Sequence, residues 1–175
     1  MCMKNVNTNI VFADIAASSN QTELSLQNIG KKFFIVEDER KITSLSFALF
    51  VSATEDKDAP TSDVEHEETN LDEKSVFKFY KEYELRIRLT ETISGDFMDL
   101  TKIKFKPSDA VVERGICKKT FNFSKFFRFD NIDLPEKSKK ENFVIKVVLR
   151  EYTEENRNQW SVQSIHPIDF NNICL

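Results

Sequence analysis

Residues 121–151 read FNFSKFFRFDNIDLPEKSKKENFVIKVVLRE and contain two runs of aromatic and β-branched residues. Such residues suit a pleated, half-buried surface. The charged segment Pro135–Asn142 separates the two runs, and Pro135 has no amide hydrogen to donate, so neither run continues easily through it. The stretch therefore predicts a large antiparallel hairpin near the centre of a β-sandwich, with phenylalanines facing inward and lysines facing water.

Alternation of apolar and polar residues predicts further strands along the chain. In Tyr83–Thr90 the odd-numbered residues are apolar and the even-numbered ones are polar. Leu100–Lys106 alternates again, with Ile103 and Phe105 facing inward between three lysines. Thr43–Ser52 is apolar on both faces toward its end, which is typical of a central strand. A turn at Gly30 predicts a hairpin between the strands on either side of it. About eight to ten strands at this spacing predict an all-β fold, with residues 1–175 as a single antiparallel two-sheet sandwich domain.

The segment Thr54–Ser75 departs from this pattern. It holds nine acidic residues and two lysines, a net charge of −7, so the remaining chain carries +3 of the total of −4. A segment this acidic cannot bury enough apolar surface to offset the entropy of ordering it. It is therefore predicted to be a flexible acidic insertion between two strands.

Composition limits the class of protein. A chain of 175 residues with 16 Phe is long enough to bury one substantial core. Its three cysteines contain no C-x-x-C pair, which favours reduced thiols. The N-terminal residues lack the apolar run of a secretory signal, and no stretch of the sequence is apolar enough to span a membrane. These features predict a cytoplasmic protein without a membrane segment.

Motifs that carry catalysis are missing from the sequence. No nucleophile elbow, phosphate-binding loop, dinucleotide fingerprint or H-E-x-x-H motif occurs, and the chain has only three glycines. His66 lies among carboxylates, but no second histidine follows at ligand spacing. Cys117 and His166 are the only nucleophile–base couple that the sequence offers. We therefore predict a non-enzyme with no cofactor, metal or catalytic residue, and keep a hydrolase using Cys117 and His166 as an alternative.

Basic residues are concentrated between residues 102 and 146, a stretch that contains twelve basic and six acidic residues. The run KKTFNFSKFFRF within this region mixes aromatic and basic residues, as single-strand binders do, but a strand with one apolar and one charged face has the same composition. Segregation of charge makes both the basic run and the acidic insertion candidate interaction sites. The candidate residues are Lys118, Lys119, Lys125, Arg128, Lys137, Lys139, Lys140, Glu65, Glu67 and Glu68.

The order of strands resembles that of small bacterial and prophage β-sandwich proteins of uncharacterised function, built like C2 or immunoglobulin-type domains. The resemblance covers most of residues 9–170 and rests on the segments IVFADI, LSLQNIG, SLSFALFV, YELRIRL, FDNIDLP and FVIKVVL. It implies a fold and carries over no functional residue, and residues 137–140 (KSKK) replace the Gly-Tyr pair often found after this corner.

These observations predict a non-enzymatic protein-binding or assembly module of bacterial or phage origin. A protein is the expected partner, and nucleic acid or a second copy of the chain is the alternative. A second function is also kept open, in which the protein is a phage-type inhibitor that binds or mimics nucleic acid through its acidic and basic segments.

Overall fold

The computed structural model describes residues 3, 5–20, 23–27, 29, 33–36, 41–56, 77–107, 111–114, 118–134, 143–153, 159–168 and 170–173. These residues form an all-β fold, as predicted. None of them belongs to a helix long and apolar enough to cross a membrane. The strands are β1 (Val6–Phe12), β2 (Ile15–Asn20), β3 (Glu23–Gln27), β4 (Phe33–Val36), β5 (Lys41–Asp56), β6 (Tyr83–Glu91), β7 (Phe97–Phe105), β8 (Val111–Arg114), β9 (Lys118–Asp133), β10 (Phe143–Glu151), β11 (Ser161–Pro167) and β12 (Phe170–Ile173).

The larger sheet has six strands and is built around β5, a strand of 16 residues. One edge of β5 pairs with β9 along its whole length, from Lys41 opposite Asp133 to Asp56 opposite Lys118. Its other edge pairs with β4 near the start and with β1 toward the end. β8 pairs antiparallel with the start of β9, and β12 pairs parallel with β4. The central position predicted for Thr43–Ser52 is therefore confirmed.

The smaller sheet has four antiparallel strands in the order β11-β10-β6-β7. Alternation places the odd-numbered apolar residues of β6 opposite those of β10, for example Ile87 opposite Val147 and Leu85 opposite Leu149. These four side chains are buried, so the faces predicted for both strands are confirmed. β2 and β3 form a separate two-stranded pair.

Both large sheets contribute to one hydrophobic core. The ring of Phe121, on β9 of the larger sheet, stacks on Phe105 of β7 in the smaller sheet at a centroid distance of 5.4 Å. Phe77 and Phe79 lie near Phe121 at 6.4 Å each, and Phe77 stacks on Tyr83 at 4.2 Å. A group of aromatic rings therefore joins the two sheets at this end of the core.

The predicted central hairpin is wrong. β9 pairs with β5 and β8 in the larger sheet, whereas β10 pairs with β6 and β11 in the smaller one. The hairpin predicted across Gly30 is wrong as well, because β3 pairs with β2 and β4 pairs with β5. Alternation fixes which face of a strand is buried but does not specify which strand lies beside it.

The prediction that phenylalanines face inward and lysines outward holds only in part along β9. Phe127 lies opposite Phe47 of the core, but Lys125 lies opposite Leu49 on the same face, and Phe126 lies on the other face opposite Ala48. Two consecutive phenylalanines interrupt the alternation, so a strand of period two cannot place both inward. Lys125 remains exposed, with Nζ 5.5 Å from the centroid of the Phe127 ring.

The boundary predicted for the acidic insertion also changes. Thr54, Glu55 and Asp56 belong to β5, where Glu55 pairs with Lys119 and Asp56 with Lys118. The later residues of the predicted insertion lie outside the described part of the chain, so its flexibility stays a prediction.

Candidate interaction surface

The outer face of the four-stranded sheet carries a concentration of cations. In β6 the even-numbered residues Glu84, Arg86 and Arg88 point away from the core, as the alternation predicts. Register places cations of β7 and β10 on the same face. We call this surface the cationic face and define it by its six cations, Arg86, Arg88, Lys102, Lys104, Lys146 and Arg150. Glu84 and Asp99 are the acids in register with them, which leaves an excess of four positive charges.

Glu84 lies in the middle of the cationic face and is fully buried. Its Oε2 accepts a hydrogen bond from Arg150 Nη2 at 2.7 Å, and its Oε1 accepts one from Arg86 Nε at 2.6 Å. Lys102 Nζ lies 3.5 Å from Oε1. Burial raises the pKa of this carboxyl group, but the hydrogen bonds and charges of Arg150 and Arg86 outweigh burial and lower the pKa to about 2. Glu84 is thus an anion at neutral pH that fixes two guanidinium groups.

Trp160 lies against three guanidinium groups of the cationic face. The central carbons of Arg86, Arg88 and Arg150 are 4.7, 4.7 and 4.6 Å from the Trp160 ring centroid. These distances fall within the range of cation–π attraction. Asp99 holds two of the same groups from the other side of β6, since its Oδ1 accepts from Arg88 Nε at 2.8 Å and its Oδ2 accepts from Arg86 Nη1. The arginines are therefore oriented by carboxylates and by an aromatic ring at once.

Exposed aromatic and aliphatic side chains lie around these fixed cations. Lys104 Nζ is 3.4 Å from the centroid of the Tyr152 ring, and Tyr152 itself is exposed. Phe97 and Ile165 are each 55% exposed, and Phe97 lies beneath the guanidinium group of Arg88. Arginine and aromatic residues at an exposed but ordered surface are typical of protein-binding sites.

The structure describes the side chains of two of the basic residues predicted from the sequence, Lys125 and Arg128, and these lie on opposite faces of β9. Lys118 and Lys119 occupy register positions opposite Asp56 and Glu55. Arg128 is exposed and pairs with Asp130 at 3.2 Å on its own strand, while Lys125 lies on the opposite face of β9 near the Phe127 ring. The remaining predicted interaction residues, Lys137, Lys139, Lys140, Glu65, Glu67 and Glu68, lie outside the described residues.

The predicted nucleophile–base couple is not tested, because Cys117 lies outside the described residues. His166 has a different neighbour: its Nε2 is 2.9 Å from Ser164 Oγ, which is in turn 2.7 Å from Thr8 Oγ1 of β1. Burial lowers the pKa of His166. This polar group links β11 of the smaller sheet to β1 of the larger one. Among the residues that the structure describes, no three His, Cys, Asp or Glu side chains are arranged to hold a metal ion.

Sequence reasoning identified the outward direction of Arg86 and Arg88 but did not identify the cationic face. Arg150 is 66 positions from Glu84 in the chain, and only strand pairing brings them together. One feature of the sequence could have indicated this face. Two alternating segments, YELRIRL at residues 83–89 and LTKIKFK at residues 100–106, both carry cations among their polar residues.

Comparison with known proteins identifies no family for this chain, since no family model and no curated protein match it.

Proposed function

We propose that this protein is a non-enzymatic binding module that recognises an acidic protein partner through the cationic face. The observation that carries the proposal is the packing of three guanidinium groups against Trp160 on a face with four excess positive charges. Arginine and tryptophan are the residues that most often dominate protein interfaces. The excess charge favours and steers an acidic partner.

Rigidity of the site supports this proposal. Glu84 and Asp99 hold the guanidinium groups of Arg86, Arg88 and Arg150 in fixed directions on paired strands. Arg150 is buried, whereas Arg86 and Arg88 are partly exposed. A partner that binds these two does not bear the cost of ordering long side chains, which is about 0.5–1.5 kcal/mol for each one immobilised. Lys102 and Lys104 on the outermost strand β7 are exposed, so a partner can reach them directly.

We also propose that the two large sheets stack as a β-sandwich of the C2 or immunoglobulin kind. The shared core and the ring stack between Phe105 and Phe121 support this arrangement. In such a domain the outer face of each sheet is open to partners. The cationic face is the outer face of the smaller sheet.

The experiment is affinity capture with matched charge-reversal variants. Lys102→Glu combined with Lys104→Glu reverses two exposed charges of the cationic face, and Lys125→Glu combined with Arg128→Glu reverses two exposed charges on β9 as the control. We expect a captured acidic protein to be lost with the first pair and retained with the second, as measured by quantitative mass spectrometry. Equal capture by both variants would show that the cationic face is not the binding site.

Nucleic acid is the second candidate partner, and Trp160 is the observation that favours it. A half-buried tryptophan beside arginines resembles the stacking platforms of single-strand binders. Titration with oligothymidylate at two salt concentrations distinguishes the candidates, because phosphate binding weakens steeply as salt rises. Loss of that binding on Trp160→Ala would place the base stack on this ring.

A further inference from the structure

Within the described residues, β7 forms an open edge of the smaller sheet. β7 pairs with β6 along one side, and no strand in the described part of the chain pairs with its other side. An open strand edge presents a row of backbone amide and carbonyl groups that can pair with another chain. The register of β7 against β6 shifts at Leu100, so the longest uninterrupted part of the ladder runs from Thr101 to Phe105.

The core-facing side of β7 is incompletely covered. Ile103 and Phe105 are half-buried, whereas Leu85, Ile87 and Ile145 on the same face of the two inner strands are at most 1% exposed. The difference arises because a residue on the outermost strand has a neighbouring strand on one side only. Apolar side chains from an additional strand would cover Ile103 and Phe105.

The outer side of the same edge carries exposed lysines. Lys102 and Lys104 alternate with Ile103 and belong to the cationic face, and exposed Lys106 follows the strand. Lysines on an edge oppose pairing between copies of one chain, because antiparallel copies would place like charges near each other. The same lysines favour a strand whose carboxylates lie beside them. The edge of β7 therefore favours pairing with an acidic strand over pairing with a basic one.

We propose that an extended segment of the partner, with acidic and apolar residues in alternation, adds to the edge of β7 as a fifth strand. Its carboxylates lie beside Lys102 and Lys104, and its apolar side chains extend the core next to Ile103 and Phe105. Backbone hydrogen bonds to β7 provide affinity that does not depend on side chains, and the alternation provides specificity. This inference rests on the proposed function and specifies how the acidic partner binds.

The probe is a capped peptide of about eight alternating Glu and Val residues, titrated against the full chain by calorimetry. In an added strand every second residue points its amide toward β7 and the others point toward water. We therefore prepare one peptide methylated on the Glu amide nitrogens and another methylated on the Val amide nitrogens. Strand addition predicts that one of these peptides binds like the parent and that the other does not bind. Equal binding by both would overturn the inference.

Protein variants test the charge selectivity. We expect Lys102→Glu with Lys104→Glu to weaken binding of the parent peptide by about tenfold or more, because two attractive cross-strand pairs become repulsive. Lys125→Glu with Arg128→Glu, on the other sheet, is expected to leave the affinity unchanged. A peptide that alternates Lys and Val should not bind the unmodified protein.

The outcomes separate the two proposals. If capture of an acidic protein depends on the cationic face but both methylated peptides bind alike, or the parent peptide does not bind, strand addition is wrong and the proposed function stands. If capture does not depend on Lys102 and Lys104, the proposed function is wrong. Binding of oligothymidylate, with neither capture of an acidic protein nor binding of the parent peptide, would contradict both proposals and favour nucleic acid.

Discussion

At the scale of single residues, the buried carboxylate of Glu84 explains how several arginines lie close together. A buried ion pair seldom adds net stability, because removing two charges from water costs about as much as their attraction returns. Glu84 therefore serves mainly to orient Arg86 and Arg150, whose guanidinium groups it binds at 2.6 and 2.7 Å. The orientation of these arginines is what the proposed function requires.

Replacing Glu84 with glutamine should destabilise the protein by about 3 kcal/mol, because both arginines then lack their buried counter-charge. Urea unfolding of the variant and of the unmodified protein measures the difference. Glu82→Gln, two residues earlier at an exposed position, is the control and should change the free energy of unfolding by less than about 0.5 kcal/mol. A loss below about 1 kcal/mol for Glu84→Gln would show that the arginines do not depend on this carboxylate.

The lowered pKa of Glu84 makes its contribution to stability depend on pH. Because the folded-state pKa is about 2 and the ordinary value is 4.5, the contribution is complete above pH 4.5 and is lost as the pH falls toward 2. The gap in unfolding free energy between the unmodified protein and Glu84→Gln should therefore narrow over that range. Chemical denaturation at several pH values tests this expectation, and a gap that stays constant to pH 2 would contradict it.

At the scale of elements, the turn between β6 and β7 is held by its own side chains and by a glycine. The Glu91 carboxylate accepts hydrogen bonds from the backbone amides of Ile93 at 2.9 Å and Ser94 at 2.5 Å. These bonds lower the pKa of Glu91. Gly95 has a φ of +77°, a region that side-chain-bearing residues rarely adopt. The turn fixes the position of β7, which carries Asp99, Lys102 and Lys104 of the cationic face.

Gly95→Ala should cost about 1 kcal/mol of stability through backbone strain alone, since nothing lies within 4 Å of the position that a Cβ would occupy. Gly95→Asn should cost less, because asparagine tolerates positive φ better than alanine. Thermal unfolding of both variants gives the comparison. Equal losses would indicate that strain at this φ is not the cause.

The strands and their buried faces were more predictable from the sequence than the pairing between strands. Regular alternation in residues 83–90 and 143–149 predicted both faces of β6 and β10 because each strand buries one side. Pairing was not predictable, since β5 and β9 are separated by long stretches of chain and no short turn joins them. The cationic face was not predictable for the same reason, because Glu84, Arg150 and Trp160 come together only when the strands of the smaller sheet pair.

At the scale of the whole molecule, the two sheets are expected to unfold together because they share one core. Trp160 is the single tryptophan and lies on the smaller sheet, whereas backbone circular dichroism reports on every strand. The transitions seen by tryptophan fluorescence and by circular dichroism should coincide. Separate midpoints would show that the sheets are stable independently of each other.

Phe121→Ala removes the ring that contacts Phe77, Phe79 and Phe105, and it should cost about 3–5 kcal/mol of stability. Phe97→Ala is a matched control at a position that is 55% exposed and should cost much less. Denaturant titration followed by both fluorescence and circular dichroism measures the two losses. A small loss for Phe121→Ala would contradict the role of this ring cluster in joining the sheets.

The parallel pairing of Phe33–Val36 with Phe170–Ile173 affects how the protein forms during synthesis. β4 can pair with β12 only after more than a hundred further residues have been synthesised. Until then, one side of a short apolar strand is available to chaperones or to other nascent chains. The pairing of β4 with β12 is therefore expected to be among the last contacts of the larger sheet to form.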